Sequence, residues 1–418
     1  MGRMQSAESE GLAIDTIGSH PAARGLRVAV VTETYPPEVN GVALTVRAIV
    51  EGLQRRDHDV QLVRPRQHAL DTAHIGARFH EVLLQGLPIP RYSNLRMGVP
   101  CKGALLRQWS VRRPDVVHIA TEGPLGWSAL RAALQLKLPL SSDFRTNFHA
   151  YSEHYGIGWL RRPIMAYLRK FHNDTHCTMV PTDALRRDLE SNGFRNLCVV
   201  ARGVDTQRFG PLWRSDVLRR EWGAGPDDLV IACVGRLAPE KNLGLMIEAF
   251  EAIVRAGLRA KLVLVGDGPM RAELQACCPG AVLAGQRTGA DLAAHYASSD
   301  LFLFPSLTET FGNVTMEAMA SGLPVVAFGY AAAGQLIRSG TNGVLAACGD
   351  AAGLINAAVD LARNAGLRRQ LGVAARHSAV EAGWDGVVTR FEGVLENAIR
   401  AAAQADAAPF GVAERPAA

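Results

Sequence analysis

Short apolar runs alternate with longer segments of helical periodicity along most of the chain. The first apolar run covers residues 26–32, and a second series begins at residues 229–234, after a segment rich in proline, glycine and charge. Short apolar runs joined by amphipathic segments predict buried parallel strands connected by helices. Because the alternation occurs twice, the sequence predicts two doubly wound α/β domains.

The same changes of pattern place the domain boundaries. We predict a flexible tail at residues 1–23, a first domain at residues 24–208 and a second domain at residues 209–385. An amphipathic helix follows at residues 386–402, and residues 403–418, which are rich in alanine, form a second tail.

The most informative stretch of the second domain is residues 301–327. It predicts a buried strand, a polar turn, a helix that starts near Gly312 or Asn313, and a second buried strand. The unpaired N–H groups and the dipole at such a helix start suit a phosphate-bearing ligand. Glu309 and Glu317 can accept hydrogen bonds from sugar hydroxyls, so the spacing favours a nucleotide sugar. Taken singly, each carboxylate is explained as well by complementarity to the helix dipole.

A second motif combines a strand end, a glycine turn at Gly235 and two cations. Arg236 and Lys241 stand five residues apart at a predicted helix start. Two fixed cations there can stabilise the charge of a departing nucleoside diphosphate without a metal ion. We find no convincing pair of metal-binding carboxylates, because the acidic residues at 57–59 lie away from the expected cleft. A solvated loop is the alternative explanation for both cations.

Composition narrows the class of protein. The chain has 418 residues, a formal net charge of +5 and a pI of about 8.9, a mild excess that does not indicate a nucleic-acid partner. Its 7 cysteines form no C-x2-C pairs, so neither a disulfide framework nor a zinc site is predicted. The N-terminus has no apolar signal core, and no apolar run approaches a membrane span. We expect a cytoplasmic protein that can still contact a membrane surface.

The combined pattern of E-x7-E, R-x4-K and G-x-P-V-V-A resembles the donor-binding signature of glycosyltransferase family 4, whose members are retaining enzymes of the GT-B fold. The resemblance extends from Arg27 to about Ala402. It implies two Rossmann-like domains that face a cleft, with the C-terminal helix crossing back to the first domain. It also implies a nucleoside-diphosphate sugar as donor and no further cofactor.

The resemblance assigns roles to individual residues. Gly41 closes the first turn over the donor diphosphate, and Arg236 and Lys241 neutralise the leaving group. Glu309 holds the donor hexose and Glu317 holds the ribose. The remaining predicted donor contacts are Gly235, Arg287, Phe311, Gly312 and Asn313. The run T-x-T-Y-P-P-E-V-N-G-V is most similar to GDP-mannose-dependent α-mannosyltransferases.

The acceptor side departs from the family pattern. Arg145 stands where many relatives have a histidine near the reacting sugar, and arginine cannot act as a general base because it stays protonated. A front-face mechanism, in which the departing phosphate takes the acceptor proton, does not need that base, so Arg145 stays among the catalytic candidates. The resemblance also places Glu122, Asn147 and His149 on the acceptor side, although a packed role explains His149 as well.

A basic stretch at residues 159–171 mixes cations with aromatic and aliphatic residues at helical spacing. It suits either an anionic membrane surface, consistent with a lipid acceptor, or the solvated face of a core helix. We predict a retaining glycosyltransferase that moves a hexose, mannose or glucose, from a nucleoside-diphosphate sugar to a lipid or glycan hydroxyl. A sugar-nucleotide epimerase and a catalytically silent glycan- or lipid-binding protein are the alternatives.

Overall fold

Two sheets of parallel strands form the framework of the protein. The predicted tail at residues 1–23 and the acceptor-side candidates Asn147 and His149 lie outside the part of the chain that the structure describes. The computed structural model describes residues 25–38, 40–68, 70–89, 92–145, 161–309 and 311–407.

Among the described residues the first sheet has eight strands, and all of their pairings are parallel except that of the shortest strand. The strands of the first domain are β1 (Arg27–Val31), β2 (Asp59–Pro65), β3 (Ile75–Gly76), β4 (Phe79–Leu84), β5 (Gly86–Ile89), β6 (Tyr92–Gly98), β7 (Val116–Ile119), β8 (Leu140–Asp143), β9 (Cys177–Val180) and β10 (Leu197–Val199). Their order is β10-β9-β8-β7-β1-β2-β4-β3, and β5 and β6 form a separate antiparallel pair. The helices in the described part of this domain are α1 (Gly41–Arg55), α2 (Lys102–Val111), α3 (Pro124–Gln135), α4 (Arg161–Asn173) and α5 (Asp183–Ser191).

The second sheet has six strands, all parallel, in an order that is typical of dinucleotide-binding folds. Its strands are β11 (Leu229–Val234), β12 (Ala260–Val265), β13 (Val282–Gly285), β14 (Leu301–Phe304), β15 (Val325–Phe328) and β16 (Val344–Ala346), in the order β13-β12-β11-β14-β15-β16. Its helices are α6 (Asp216–Glu221), α7 (Leu243–Arg255), α8 (Arg271–Cys277), α9 (Gly289–Ala297), α10 (Asn313–Ala320), α11 (Ala331–Leu336), α12 (Ala351–Arg363) and α13 (Ala365–Glu381). Every residue of β11 and β14 is buried, as expected for central parallel strands read as apolar runs.

The strand order reverses once in each sheet, and this reversal positions the site. In the first sheet β1 lies between β2 and β7, and in the second sheet β11 lies between β12 and β14. Ligands of doubly wound sheets bind beyond the carboxyl ends of the strands at such a reversal. The segments that follow β1 and β7 carry Gly41, the first residue of α1, and Glu122. Those that follow β11 and β14 carry Lys241 and Glu309.

The last helix, α14 (Trp384–Ala407), leaves the second domain and packs on the first. Phe391 and Leu395 are fully buried among residues of β1, β2 and α1, and the Phe391 ring lies 4.7 Å from the His118 ring. A side chain at Gly52 of α1 would come within 2.4 Å of Val388, so the small residue permits the close contact. The crossing predicted from the resemblance is therefore confirmed.

The helix is longer than the sequence analysis predicted. It begins two residues earlier than residue 386 and continues to Ala407, so residues 403–407 are helical rather than part of a tail. Alanine is the strongest helix former, and the alanine-rich end prolongs the helix beyond its apolar contacts. Among the described residues, every helix is too short or too polar to cross a bilayer.

The packing of α14 gives a direct prediction. Phe391→Ala should lower the free energy of unfolding of the first domain by about 3–5 kcal/mol, because it removes a fully buried ring and leaves a cavity. Urea denaturation followed by tryptophan fluorescence measures the change. Val373→Ala, which trims a side chain that is 75% exposed on α13, is the control and should change the free energy by less than about 0.5 kcal/mol. Equal effects would contradict this packing.

Candidate active site

A cation and a carboxylate meet where β11 and β14 end. Lys241 closes a short 3-10 helix, Pro239–Lys241, and its ammonium donates to the Glu309 carboxylate. The Ser306 hydroxyl donates to the same carboxylate oxygen at 2.9 Å. The two charged side chains are only 13% and 14% exposed, which keeps solvent from screening the pair. The sequence analysis assigns Lys241 and Glu309 to one site although they are 68 positions apart in the chain. The structure brings the two side chains into contact.

The start of α10 lies directly after this pair, and the residue at its N-cap position is a glycine, which provides no side-chain cap. Gly312 has φ of +93°, in the left-handed region that favours glycine, and it has no side chain with which to accept the first N–H groups of the helix. The start of α1 differs, because the Asn40 side chain accepts from the N–H groups of Val42 and Ala43 at 3.1 and 2.8 Å. Helix α10 thus keeps amides and a positive dipole end for an anionic ligand.

The first domain reaches this helix start through two residues. A side chain at Gly41 would lie 3.4 Å from the Asn313 amide nitrogen and 3.6 Å from a nitrogen of Arg202. Arg202 in turn donates to the Asn313 amide oxygen at 3.3 Å, and its guanidinium lies 5.6 Å from the centre of the Phe311 ring. The predicted donor residues Gly41, Phe311 and Asn313 therefore meet across the boundary between the domains, together with Arg202, which was not among the predicted site residues.

Arg145 is buried and already has an anionic partner. Its Nε donates to Asp143 at 2.6 Å, and the His118 Nε2 lies 3.0 Å from the same carboxylate oxygen. Burial alone would raise the pKa of Asp143, but Arg145 and then His118 outweigh burial and lower that pKa below its ordinary value. Arg145 is thus held in a fixed orientation as a cation, which agrees with its exclusion as a general base.

Arg202 has a less favourable environment. Burial, and then the neighbouring charge of Arg145, lower the pKa of Arg202 to about 9, against the attraction of Asp143 and Glu309. The guanidinium still carries its charge at neutral pH. Within the described part of the chain its Nε has no hydrogen-bond partner, so the cation is buried with little compensation.

Glu317 lies one and a half turns into α10 and borders a cavity of about 680 Å³. The Tyr296 hydroxyl donates to its carboxylate at 2.8 Å. Burial raises the pKa of Glu317 to about 7, although Tyr296 and Arg208 oppose the change. Asn313 also lines the cavity, which otherwise lies between α1, residues 203–209 and the start of α14. The cavity therefore adjoins the Arg202 contact and offers room beside Glu317 for part of a ligand.

The remaining donor-side candidates lie at the rim of the second sheet. Arg236 is exposed, and Arg287 donates to the Ala284 carbonyl at 2.8 Å and pairs with Asp291 at 3.0 Å. Gly235, at a φ of +149°, belongs to a turn that packs against a second turn at Gly266, where a side chain would come within 1.9 Å of the Gly235 carbonyl oxygen. That second glycine is therefore required for close packing of the turns.

Comparisons with known proteins agree with this architecture. The family model described as Glycosyltransferase Family 4 matches residues 39–208, and the one described as Glycosyl transferases group 1 matches residues 228–364. A GDP-mannose-dependent alpha-mannosyltransferase from Mycobacterium tuberculosis is 36% identical, over 89% of this chain and 97% of its own. The chain belongs to glycosyltransferase family 4.

Two further proteins are similar to this glycosyltransferase, one in sequence and one in structure. An alpha-monoglucosyldiacylglycerol synthase from Streptococcus pneumoniae is 25% identical, over 77% of this chain and 75% of its own. The structure of sucrose-phosphate synthase from Thermosynechococcus elongatus superposes with a TM-score of 0.73 at 17% identity, covering 90% of this chain and 100% of that one. The GT-B fold predicted from the resemblance is confirmed, and neither the epimerase nor the silent binding protein is favoured.

The acceptor side of the glycosyltransferase is only partly described. Asn147 and His149 lie outside the described residues, so their roles stay predictions. The Glu122 side chain is 4% exposed and faces His172 at 3.4 Å, and its backbone oxygen accepts from the Tyr167 hydroxyl. The position of Glu122 therefore gives no support to a direct acceptor contact, because its carboxylate is turned into the first domain.

The raised pKa of Glu317 predicts a pH dependence of stability. The folded state retains the proton up to a pH of about 7, whereas the unfolded state loses it near 4.5. The free energy of unfolding should therefore fall as pH rises from 4.5 to 7, by on the order of 3 kcal/mol at most. Glu317→Gln should remove this decrease, as measured by urea denaturation at several pH values. Glu381→Gln changes an exposed carboxylate of the same cavity and should leave the decrease in place. A pH dependence shared by wild type and Glu317→Gln would refute the assignment.

Proposed function

We propose that this glycosyltransferase transfers mannose from GDP-mannose to a hydroxyl of a lipid or lipid-linked glycan, with retention of the α-configuration and without a metal ion. The observation that carries the proposal is the Lys241–Glu309 pair beside the glycine-capped start of α10. The donor is suggested by the mycobacterial mannosyltransferase, and the lipid acceptor by the diacylglycerol-modifying relative.

The chemistry follows from where the positive charge lies. When the bond between the sugar C1 and the phosphate oxygen breaks, negative charge develops on the diphosphate. The ammonium of Lys241 and the amides of α10 provide fixed positive charge at that place, so they stabilise the transition state without reorganising. The Glu309 carboxylate orients Lys241 and accepts hydrogen bonds from the donor hexose.

The acceptor hydroxyl attacks C1 from the face that the diphosphate leaves. The new C1–O bond forms as the bond to the phosphate oxygen breaks, and the departing phosphate oxygen takes the acceptor proton. Arg145 takes no proton in this scheme, because it is a buried cation paired with Asp143. Its place in the first domain, close to Arg202, suits it to orient the reacting groups.

A membrane surface would bring a lipid acceptor to the first domain. Helix α4 buries Leu168 and Phe171, whereas Arg162, Tyr167 and Lys170 are exposed on it. Such a helix can place its cations against anionic head groups and its aromatic ring at the interface. We propose that α4 contributes to peripheral membrane association.

A donor panel tests the proposed reaction. GDP-mannose, UDP-glucose, UDP-glucuronate and UDP-galactose are each offered with a lipid extract, and the products are analysed by mass spectrometry and NMR. We expect an α-mannosyl lipid from GDP-mannose. Formation of an epimerised nucleotide sugar without any transfer product would support the epimerase instead, and transfer from UDP-glucose alone would replace the donor but keep the reaction.

Loss of the cation at the leaving group should reduce turnover. We expect Lys241→Gln to lower kcat about 100-fold or more, because the charge that develops on the diphosphate loses a fixed cation. Steady-state kinetics with the preferred donor measures the change. Lys261→Gln is the matched control and should retain wild-type kcat. Lys261 lies near the amino-terminal end of β12, whereas the site lies beyond the carboxyl ends of the strands. A Lys241→Gln variant with wild-type kcat would exclude the proposed mechanism.

Membrane association is tested by charge reversal on α4. The double variant Arg162→Glu/Lys170→Glu should bind phosphatidylglycerol vesicles at least about tenfold more weakly than wild type, because each cation near an anionic surface contributes about 1 kcal/mol. Sedimentation with vesicles of phosphatidylglycerol or phosphatidylcholine measures the binding. Arg255→Glu/Arg363→Glu reverses two exposed cations of the second domain and should bind as wild type does. Indistinguishable binding by all three proteins would contradict the role of α4.

A further inference from the structure

Arg202 is a buried cation to which the proposed mechanism assigns no role. It is 8% exposed, and its described hydrogen-bond partner is a neutral amide, that of Asn313. The carboxylates whose charges act on Arg202 are already engaged, since Asp143 pairs with Arg145 and Glu309 pairs with Lys241. A buried guanidinium without its own carboxylate is costly unless an anion compensates it.

The surroundings of Arg202 indicate which anion compensates it. Its guanidinium lies next to Gly41, to the Phe311 ring and to Asn313 at the start of α10. The Nε, buried and without a partner among the described residues, adds a donor to those that the helix start offers. Two independent features, an uncapped helix start and a buried unpaired guanidinium, thus converge on one place.

We infer that Arg202 binds the distal phosphate of the donor diphosphate, the phosphate that carries the sugar, as a leaving-group cation contributed by the first domain. This inference rests on the proposed transfer from a nucleoside-diphosphate sugar. The distal phosphate is favoured because Arg202 follows β10 of the first domain and lies close to Arg145, on the side where the acceptor attacks. An arginine fork matches a phosphate with two parallel hydrogen bonds, which lysine cannot reproduce.

The groups that would contact the diphosphate come from both domains. Lys241 and α10 belong to the second domain, whereas Arg202 and Gly41 belong to the first. A diphosphate bound between them links the two domains, and the full set of charges exists only when both contact it. The departing group therefore meets cations from both sides of the interdomain boundary.

Calorimetry with nucleotides that differ by one phosphate tests the inference. GDP, GMP, UDP and UMP are titrated into wild type, Arg202→Gln and Arg202→Lys. We expect Arg202→Gln to weaken binding of the preferred diphosphate about 10- to 100-fold and to leave its monophosphate nearly unchanged, because only the diphosphate has the distal phosphate. Arg202→Lys keeps the charge but loses the fork, so its affinity for the diphosphate should lie between those of wild type and Arg202→Gln.

The matched control is Arg219→Lys. Arg219 is also buried, at 3% exposure, but it pairs at 2.9 Å with Asp300, which precedes β14 at the amino-terminal edge of the second sheet. Its variant should bind GDP and GMP as wild type does, and the melting temperature of every variant is recorded to detect unfolding. If Arg202→Gln does not fold, the ratio of diphosphate to monophosphate affinity in Arg202→Lys decides the question.

An unchanged ratio in a folded Arg202 variant would overturn the inference and leave the proposed function intact. A preference for UDP over GDP, with a reduced UDP-to-UMP ratio in Arg202→Gln, would overturn the proposed donor and support the role of Arg202. Wild-type protein that binds neither diphosphate would overturn both. The three results are therefore distinguishable.

Discussion

The rest of the structure depends on one constraint. Positively charged side chains are held, largely buried, where the carboxyl-terminal edges of the two sheets face each other. Lys241 and Arg202 are both largely withdrawn from water, and the start of α10, whose amides have no side-chain cap, contacts Arg202 through Asn313. Glu309 balances the charge of Lys241, whereas the buried Arg202 has a neutral amide as its described partner, so an anion bound beside Arg202 is favourable. The architecture is thus complementary to a group that leaves with negative charge.

The fold supplies this arrangement through topology. Each sheet reverses its strand order once, and the reversal exposes the loops that follow β1, β7, β11 and β14. Helix α14 then returns to the first domain and buries Phe391 against His118, which itself contacts the Asp143 carboxylate. The interdomain crossing and the orientation of Arg145 are therefore joined by a short series of contacts. Stability and site geometry depend on the same residues in this part of the first domain.

The sequence predicted best what is determined locally. Strands such as β11 and β14 are continuous apolar runs because both faces are covered, and the glycine at the start of α10 marks the helix boundary. The region of β3 to β6 was missed because its strands are partly exposed, as Ile75 at 68% exposure shows, so they carry no continuous apolar run. Helix α13 was missed as well, because its polar and apolar residues are only weakly segregated along it.

Properties that need two distant segments could not be predicted. The contacts of Arg202 depend on how closely the domains approach, because its hydrogen-bond partner Asn313 lies 111 positions away in the second domain. The raised pKa of Glu317 depends on burial by the surrounding chain, which outweighs the opposing hydrogen bond from Tyr296 on another helix. Glu122 illustrates the opposite case, since a position after β7 predicts access to the cleft, whereas the carboxylate turns toward His172. Position along the chain gives the loop but not the direction of a side chain.

The central claim is that charge from both domains surrounds the departing diphosphate. The most direct measurement is a crystal structure of the protein with its bound nucleoside diphosphate. The account predicts diphosphate oxygens within hydrogen-bond distance of the Lys241 ammonium, the Arg202 guanidinium and the first amides of α10. A diphosphate bound elsewhere, with the Lys241–Glu309 pair facing only protein, would contradict it.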